Sequence, residues 1–376
     1  MKLCIISHTE HYTNKAGELV SWGATVTEIN HLTKIFDEIY HIAMYYEQEP
    51  PSSSLPYTSS KVKFVKIPAM GGHHIKDKID IIKNIPKVIK IVKNTLKKVD
   101  YFQLRCPTGI GVFLIPYLSL FVRKKGWYKY AGNWNQDNPP LGYRLQRIML
   151  KFQNRKVTIN GKWPNQPKQC LSFENPTLFK DEILKAGELL KTKNYSKKLN
   201  LCFVGRLERP KGVLRILESL ILLKDKSKLG NVFFIGEGEE REYFESFAKK
   251  TGVNCEFYGG LSRNDVFQVY KKSHIFLLPS SASEGFPKVI AEAMCFGCFP
   301  IVSDVSSIKQ YIKHKQNGII INPLTIEKLS ESITMLLSGS KPNLLDSIDN
   351  DKNRALLTLF TYEYYNSRIK NDILNL

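Results

Sequence analysis

The chain reads as an α/β protein of two Rossmann-like domains, each a mainly parallel sheet covered by helices on both faces. Two observations predict this. Short apolar runs alternate with amphipathic helical stretches from one end of the 376 residues to the other, the pattern of repeated strand-helix units rather than of hairpins. The pattern then loosens near the middle, and a chain of this length with 43% hydrophobic residues can fill two sizeable cores.

In the first half the apolar runs predict strands at Leu3 to Ser7, Glu38 to Ala43, Val62 to Ile67, Tyr101 to Arg105, Tyr128 to Ala131 and Val157 to Ile159. Helices are expected near Thr25 to Phe36, Asp77 to Lys98, Gly111 to Lys124 and Leu141 to Asn154. Between Gly161 and Lys198 come Pro164, Pro167, Pro176 and a lysine-rich tail. The linker is placed there, at 166–198, after an N-terminal domain at 1–165. The second half repeats the alternation, with strands at Leu199 to Val204, Val232 to Ile235, Cys255 to Tyr258, Ile275 to Leu278, Phe299 to Val302 and Ile319 to Ile321. This gives a C-terminal domain at 199–340, and helical pattern continues through 341–376.

Composition bounds the function. The apolar run of Met1 to Ser7 is too short for a signal peptide and reads as a buried first strand. The longest apolar stretch, Ile110 to Val122, contains Pro116 and falls well short of the roughly 20 residues that span a bilayer. Seven irregularly placed cysteines give no disulfide framework, which points to reduced thiols in a cytoplasmic protein. Cys295-Phe-Gly-Cys298 lacks a second pair at metal-binding spacing and reads as small buried filler.

The net charge of +20 asks for an anionic partner or surroundings. Lysines at 83, 87, 90, 93, 97 and 98 recur at helical spacing among isoleucines and valines. Two readings stay open: the solvated outer face of a helix packed on a sheet, or adhesion to anionic lipid headgroups at the inner face of the cytoplasmic membrane. Arg123, Lys124 and Lys125 favour the second. No zinc-finger spacing, aromatic recognition strand or helix-turn-helix signature accompanies the cations, so nucleic acid is excluded as a principal partner.

Two segments carry chemistry. Glu284 and Glu292 lie in Glu284-Gly-Phe-Pro-Lys-Val-Ile-Ala-Glu292. Carboxylates accept hydrogen bonds from ring hydroxyls, and Pro287 suits the first turn of a helix whose free amides face an anion. In Val204-Gly205-Arg206-Leu-Glu-Arg-Pro-Lys211-Gly212, a buried strand gives way to a glycine turn and a helix. Arg206 and Lys211 therefore stand at the carboxyl end of a strand, where open parallel sheets bind ligands. Arg206 supplies a planar fork and Lys211 a point charge for phosphate oxygens.

These segments, with Gly236-Glu-Gly238 and Phe257-Tyr-Gly259 between them in order and spacing, resemble the retaining, nucleotide-sugar-dependent glycosyltransferases of family four, group 1, which have the GT-B fold. The resemblance covers about Leu199 to Pro323. It implies two Rossmann-like domains facing each other across a cleft, an acceptor-binding first domain, and a last helix crossing back to that domain. It assigns the donor diphosphate to Arg206 and Lys211, the sugar hydroxyls to Glu284, and the ribose to Glu292. Backbone around Gly285, Phe286 and Pro287 would face sugar and phosphate, and the stretch from Tyr258 through Gly259 to Leu261 would lie by the base.

The implied reaction moves a sugar from a nucleoside diphosphate carrier, a uridine diphosphate sugar by expectation, to a saccharide or lipid-linked saccharide in the assembly of capsule, O-antigen or a similar cell-surface polymer. Arg206, Lys211 and Glu284 would be its catalytic residues. Two cations at the diphosphate can replace a metal, so no metal or other cofactor is expected. Gly236-Glu-Gly238 lacks the third glycine of a nicotinamide site, and Asp349-Asn-Asp351 reads as a solvated turn rather than a metal motif.

The first domain departs from the family where many relatives carry a histidine: Arg105 stands there, always protonated and unable to act as a base. It could bind a phosphate or an acidic acceptor. Gly23 is the nearest candidate for the family's N-terminal glycine loop, and His8 or His11, close to the first strand, could contribute, although a lone histidine reads first as structural or solvated. An epimerase or hydrolase of the same fold, or a noncatalytic nucleotide-sugar-binding protein, is the alternative.

Overall fold

Leu3 and Ile5 point to one face of the first strand and Cys4 and Ile6 to the other, and all four are fully buried. A strand apolar on both faces belongs in the middle of a sheet with helices on each side. The computed structural model, which describes residues 1–71, 75–338 and 350–376, has two such sheets in two compact units: 1–175 with 365–376, and 176–364. Asp349 lies outside the described residues.

In the first unit β1 (Lys2–Thr13), β3 (Glu38–Tyr45), β5 (Val62–Pro68), β6 (Tyr101–Cys106), β7 (Lys125–Tyr130), β8 (Val157–Ile159) and β9 (Cys170–Ser172) form a parallel sheet in the order β5-β3-β1-β6-β7-β8-β9. Helix α1 (Gly23–Leu32) packs with Leu3, Ile5 and Trp127 on one face. Helices α2 (Ile75–Leu96) and α3 (Gly111–Phe121) pack on the other. Helix α4 (Leu141–Lys151) lies along α3, with Gln146 Nε2 donating to Thr108 O (2.9 Å). The long β1 continues past the core into antiparallel pairing with β2 (Leu19–Trp22), which pairs in turn with β4 (Ser54–Pro56).

Helix α2 is amphipathic, as its lysine spacing predicts. Val88, Val92 and Leu96 are buried in the core while Lys83, Lys87, Lys90, Lys93, Lys97 and Lys98 face solvent. Ile82, by contrast, is exposed.

In the second unit β10 (Leu199–Val204), β11 (Leu229–Ile235), β12 (Cys255–Gly259), β13 (Ile275–Leu278), β14 (Phe299–Ser303) and β15 (Ile319–Ile321) are all parallel, in the order β12-β11-β10-β13-β14-β15. The helices that bear on the site are α5 (Lys180–Leu190), α6 (Val213–Ile221), α7 (Arg241–Ala248), α8 (Arg263–Lys272) and α9 (Lys288–Cys295). Strand order reverses between β10 and β13, and such a switch point opens a crevice at the carboxyl ends of the two strands.

The stretch 166–198, expected as a linker, is structured: β9 extends the first sheet, α5 belongs to the second unit, and the division falls between Asn175 and Pro176. A three-residue strand between prolines carries too little periodicity to be read from sequence. Of the C-terminal residues, those up to Tyr364 belong to the second unit and 365–376 to the first. There Tyr365 is buried edge-on against Phe173, with ring centroids 6.0 Å apart.

All seven cysteines are free, and Cys298 donates to the Tyr270 and Ser273 carbonyls (3.2 and 3.3 Å) inside the core.

Candidate active site

The site in the second unit is built by three chain reversals at the carboxyl ends of β10, β11 and β13. After β10 the chain turns at Gly205, passes Arg206, buries Leu207 and makes a single 3₁₀ turn, Arg209–Lys211. Gly212 then adopts a left-handed conformation (φ 94°) as the residue before α6. A Cβ here would lie 2.4 Å from the Pro279 carbonyl oxygen, so only glycine lets the two loops meet. Hydrogen bonds seal that approach: Ser281 N donates to Pro210 O (2.8 Å), and Ser280 Oγ donates to the same oxygen (3.2 Å).

This close approach brings Lys211 against Glu284. Lys211 Nζ donates to Glu284 Oε1 at 2.7 Å, with the lysine side chain 14% exposed. Two residues predicted from separate motifs 73 positions apart are thus in direct contact. Arg206 behaves differently: its side chain is 71% exposed and paired with Glu208 (3.0 Å).

Beyond Glu284 the chain is held by Phe286, whose buried ring stacks on Phe360 and meets Tyr311 edge-on at centroid distances of 4.7 and 4.8 Å. With the ring anchored, the backbone of Gly285 to Pro287 is fixed ahead of α9. Among the described residues no hydrogen bond within the chain uses the N–H of Gly285 or Phe286. Pro287 is the residue before the helix (φ −67°, ψ 117°) rather than inside its first turn, a one-position shift that leaves its missing N–H harmless.

Glu292 sits in the second turn of α9 and accepts a hydrogen bond from Thr177 Oγ1. Arg263, clamped to Glu182 through both guanidinium arms and donating to the Thr177 carbonyl, adds positive charge nearby. Burial nonetheless dominates and raises the Glu292 carboxyl above its ordinary range, with the Thr177 bond and Arg263 opposing. Arg263, Thr177 and Glu182 escaped the sequence reading, since nothing in their local sequence marks them and they lie 29 to 115 positions from Glu292.

The raised carboxyl has a consequence for stability. The folded protein holds the Glu292 proton more tightly than the unfolded chain, so the ionised form costs stability as pH rises above the ordinary glutamate value of about 4.3. Glu292→Gln should therefore be at least as stable as the parent protein at pH 7. The difference should fade as pH falls toward about 4, as read by denaturant unfolding across pH.

Gly259 (φ 71°) closes β12, and its carbonyl accepts from Gly236 N (2.8 Å). Glu237 in turn accepts from Gly260 N (2.8 Å), and Leu261 packs half-buried behind this loop. Gly259 and Leu261 thus flank the ends of β11 and β12, on the far side of β10 from Glu284.

The first unit uses its candidates for its own architecture. Gly23 N donates to Ser53 O (3.1 Å), so the amide considered for a glycine loop already has an acceptor. Arg105 is almost buried: Nη2 donates to Glu28 Oε1 (2.9 Å) and Nε to Gln103 Oε1 (3.0 Å). Lys129 reaches the same carboxylate at 2.7 and 2.8 Å. The expectation that Arg105 faces a phosphate or acidic acceptor meets this geometry, in which its fork is turned onto Glu28. Nearby, Tyr57 Oη bridges His11 Nε2 (2.8 Å) and His41 Nδ1 (2.7 Å). Burial lowers the basicity of both histidines, His11 to about 4, which keeps them neutral. His8 meets the Met70 carbonyl at 2.9 Å.

Comparison with known proteins agrees with this architecture. Residues 188–353 match the family described as glycosyl transferases group 1. An uncharacterized glycosyltransferase of Haemophilus influenzae is 28% identical over 75% of this chain and 76% of its own length. The N,N'-diacetylbacillosaminyl-diphospho-undecaprenol alpha-1,3-N-acetylgalactosaminyltransferase of Campylobacter jejuni is 30% identical over 41% of this chain, which spans 39% of that protein. Among solved structures, Anabaena HepE in complex with UDP superposes with a TM-score of 0.70 over 100% of both chains at 15% identity, a likeness of fold. By these findings the chain has the GT-B fold, and its residues 188–353 are similar to glycosyl transferases group 1.

Proposed function

We propose that the protein transfers a sugar from a nucleoside diphosphate sugar to a hydroxyl of a lipid-linked saccharide, with retention of anomeric configuration, during assembly of a cell-surface polysaccharide at the inner face of the cytoplasmic membrane. The observation that carries this reading is the Lys211–Glu284 contact at the sheet's switch point, beside the unused amides of Gly285 and Phe286. A cation, two amides and a carboxylate within one loop cluster form a receptor for a phosphate that bears a polyol.

In the proposed reaction the bond between the sugar's anomeric carbon and the leaving phosphate oxygen breaks, and the acceptor oxygen bonds to that carbon on the same face. The acceptor's proton passes to the departing phosphate. Lys211 and Arg206 stabilise the negative charge that grows there, the task a metal ion performs elsewhere, so the reaction needs no metal. Glu284 holds sugar hydroxyls, Glu292 holds the ribose, and the loop from Gly259 to Leu261 borders the base. Uridine is the proposed base, supported by the UDP complex of the Anabaena neighbour. The lipid-linked acceptor is supported by the diphospho-undecaprenol substrate named for the Campylobacter relative.

The test is a thermal-shift panel of uridine, guanosine, adenosine and cytidine diphosphates and their sugars, followed by turnover with an undecaprenyl-diphosphate-linked saccharide in the presence of EDTA. Expected are stabilisation by one base, an acceptor-dependent product whose anomeric configuration matches the donor by NMR, and a rate indifferent to EDTA. Free sugar released equally fast without acceptor would favour a hydrolase and overturn the transfer reading.

A further inference from the structure

The two glutamates of the site are held in different ways. Glu284 meets an ammonium, whereas the Glu292 carboxylate accepts from a neutral hydroxyl, Thr177 Oγ1, at Oε1. Among the described residues no hydrogen bond within the chain reaches Glu292 Oε2. The residue is half-buried rather than closed off. A carboxylate in such surroundings still has strong acceptor sites to offer.

A cation able to occupy both of its oxygens stands close by and is turned elsewhere. Arg263, the first residue of α8, sends Nη1 and Nη2 to the two oxygens of Glu182, the second at 2.8 Å, and its guanidinium lies over the Phe267 ring at 4.2 Å. Glu182 also accepts from Phe179 N (2.8 Å) at the start of α5, so this is the carboxylate that the fold consumes. The remaining bond of Arg263 runs from Nη2 to the Thr177 carbonyl. Thr177 N donates to Phe360 O (2.8 Å). Both backbone polar atoms of Thr177 are therefore tied down, and its β-branched side chain has few ways to turn. The hydroxyl points where the backbone sends it.

We infer that Thr177 and Arg263 are positioning residues for recognition of the ribose: Arg263 fixes the Thr177 backbone, Thr177 fixes one oxygen of Glu292, and the other oxygen is left to accept from the ribose hydroxyls. A direct pair between Arg263 and Glu292 would spend both oxygens on the guanidinium fork. Diverting the fork to Glu182 preserves the acceptor. Selectivity follows from this arrangement, because a fixed acceptor left without its hydroxyl penalises an analogue that lacks one. The inference rests on the reading of Glu292 as the ribose ligand and adds the residues that make it selective.

Isothermal titration with uridine, guanosine, adenosine and cytidine diphosphates, each beside its 2′,3′-dideoxy counterpart, tests it. Wild-type protein is expected to prefer one ribonucleotide over its dideoxy form by about 10- to 100-fold, the range of a charge-assisted hydrogen bond. Thr177→Val should weaken the ribonucleotide about tenfold and leave the dideoxy form within about twofold, so that the preference shrinks. Thr177→Ser, which restores the hydroxyl, should recover most of it. Arg263→Lys keeps the charge without the fork and should lose preference as Arg263→Met does. These last two variants read the same effect without touching Thr177. Equal weakening of both nucleotides in the Thr177→Val and Arg263→Lys proteins would make the pair a structural prop and overturn the inference. A full preference in both variants, with the preference lost in Glu292→Gln, would overturn the positioning roles while sparing the ribose reading. A full preference in Glu292→Gln would overturn the two together.

Discussion

Lys211→Ala is expected to lower kcat by about 10²- to 10³-fold, the loss seen when one preorganised group facing a developing oxyanion is removed, while thermal stability changes little. The asymmetry follows from position. Lys211 closes a 3₁₀ turn whose geometry is set by Gly212 and by the bonds from Ser280 and Ser281 to Pro210, none of which involves its side chain. What alanine removes is the ammonium at 2.7 Å from Glu284, in a spot shielded enough for its charge to act at short range. Arg206→Ala should cost less in kcat and more in KM, because its side chain is 71% exposed and, among the described residues, paired with Glu208. Since Lys211 and Glu284 touch, Lys211→Ala and Glu284→Gln should be non-additive in combination. Steady-state kinetics of the two single variants and the double variant read both effects. Donor kinetics within about twofold of wild type in Lys211→Ala would remove the lysine from the diphosphate.

Loss of the ribose contact should appear in binding instead. Glu292→Gln keeps an acceptor for Thr177 but gives up the charge-assisted bonds proposed to the ribose, so its penalty belongs in nucleotide affinity while its fold is unharmed. A carboxylate kept in an environment that resists its ionised form is tolerated where function uses it.

The strands of both sheets were legible because central parallel strands are apolar on both faces, so that Leu201-Cys-Phe-Val and Ile275-Phe-Leu-Leu stand out as short unbroken runs. The β1–β2 hairpin was not, since the second half of β1 carries His8, Thr9, Glu10 and His11 and looks like a loop. In the site, Lys211, Glu284 and Glu292 were readable because each lies in a contiguous motif whose glycines and proline report backbone geometry. Arg263 and Thr177 were not, because the fold alone brings them to Glu292. The stripe on α4 illustrates a deeper limit. Leu141, Leu145, Ile148 and Phe152 have the spacing of a core-facing helix, and only the packed structure shows that Gln146 faces inward in their stead. Periodicity reports that a face is apolar, not which partner covers it.

The Arg105 position shows the same limit from the side of charge. From sequence, Arg105 and Lys129 lie on separate strands with aromatic neighbours, and Glu28 lies on a helix 77 positions from Arg105. Alignment of β6 and β7 places Arg105 directly across from Lys129, and α1, packed on that face, presents Glu28 to both. Two buried like charges repel unless a carboxylate stands between them. Glu28→Gln should therefore destabilise the first unit by about 3–5 kcal/mol, the range for breaking a buried ion pair from one side. The loss is steeper than truncating a cation: Lys129→Met leaves Glu28 still paired with Arg105 and should cost less. Urea unfolding followed by the fluorescence of Trp127, which is fully buried in this unit, reads both variants. Equal stability of Glu28→Gln and wild type would mean that Arg105 and Lys129 are not held by this carboxylate, and would return Arg105 to the set of residues available to an anionic acceptor.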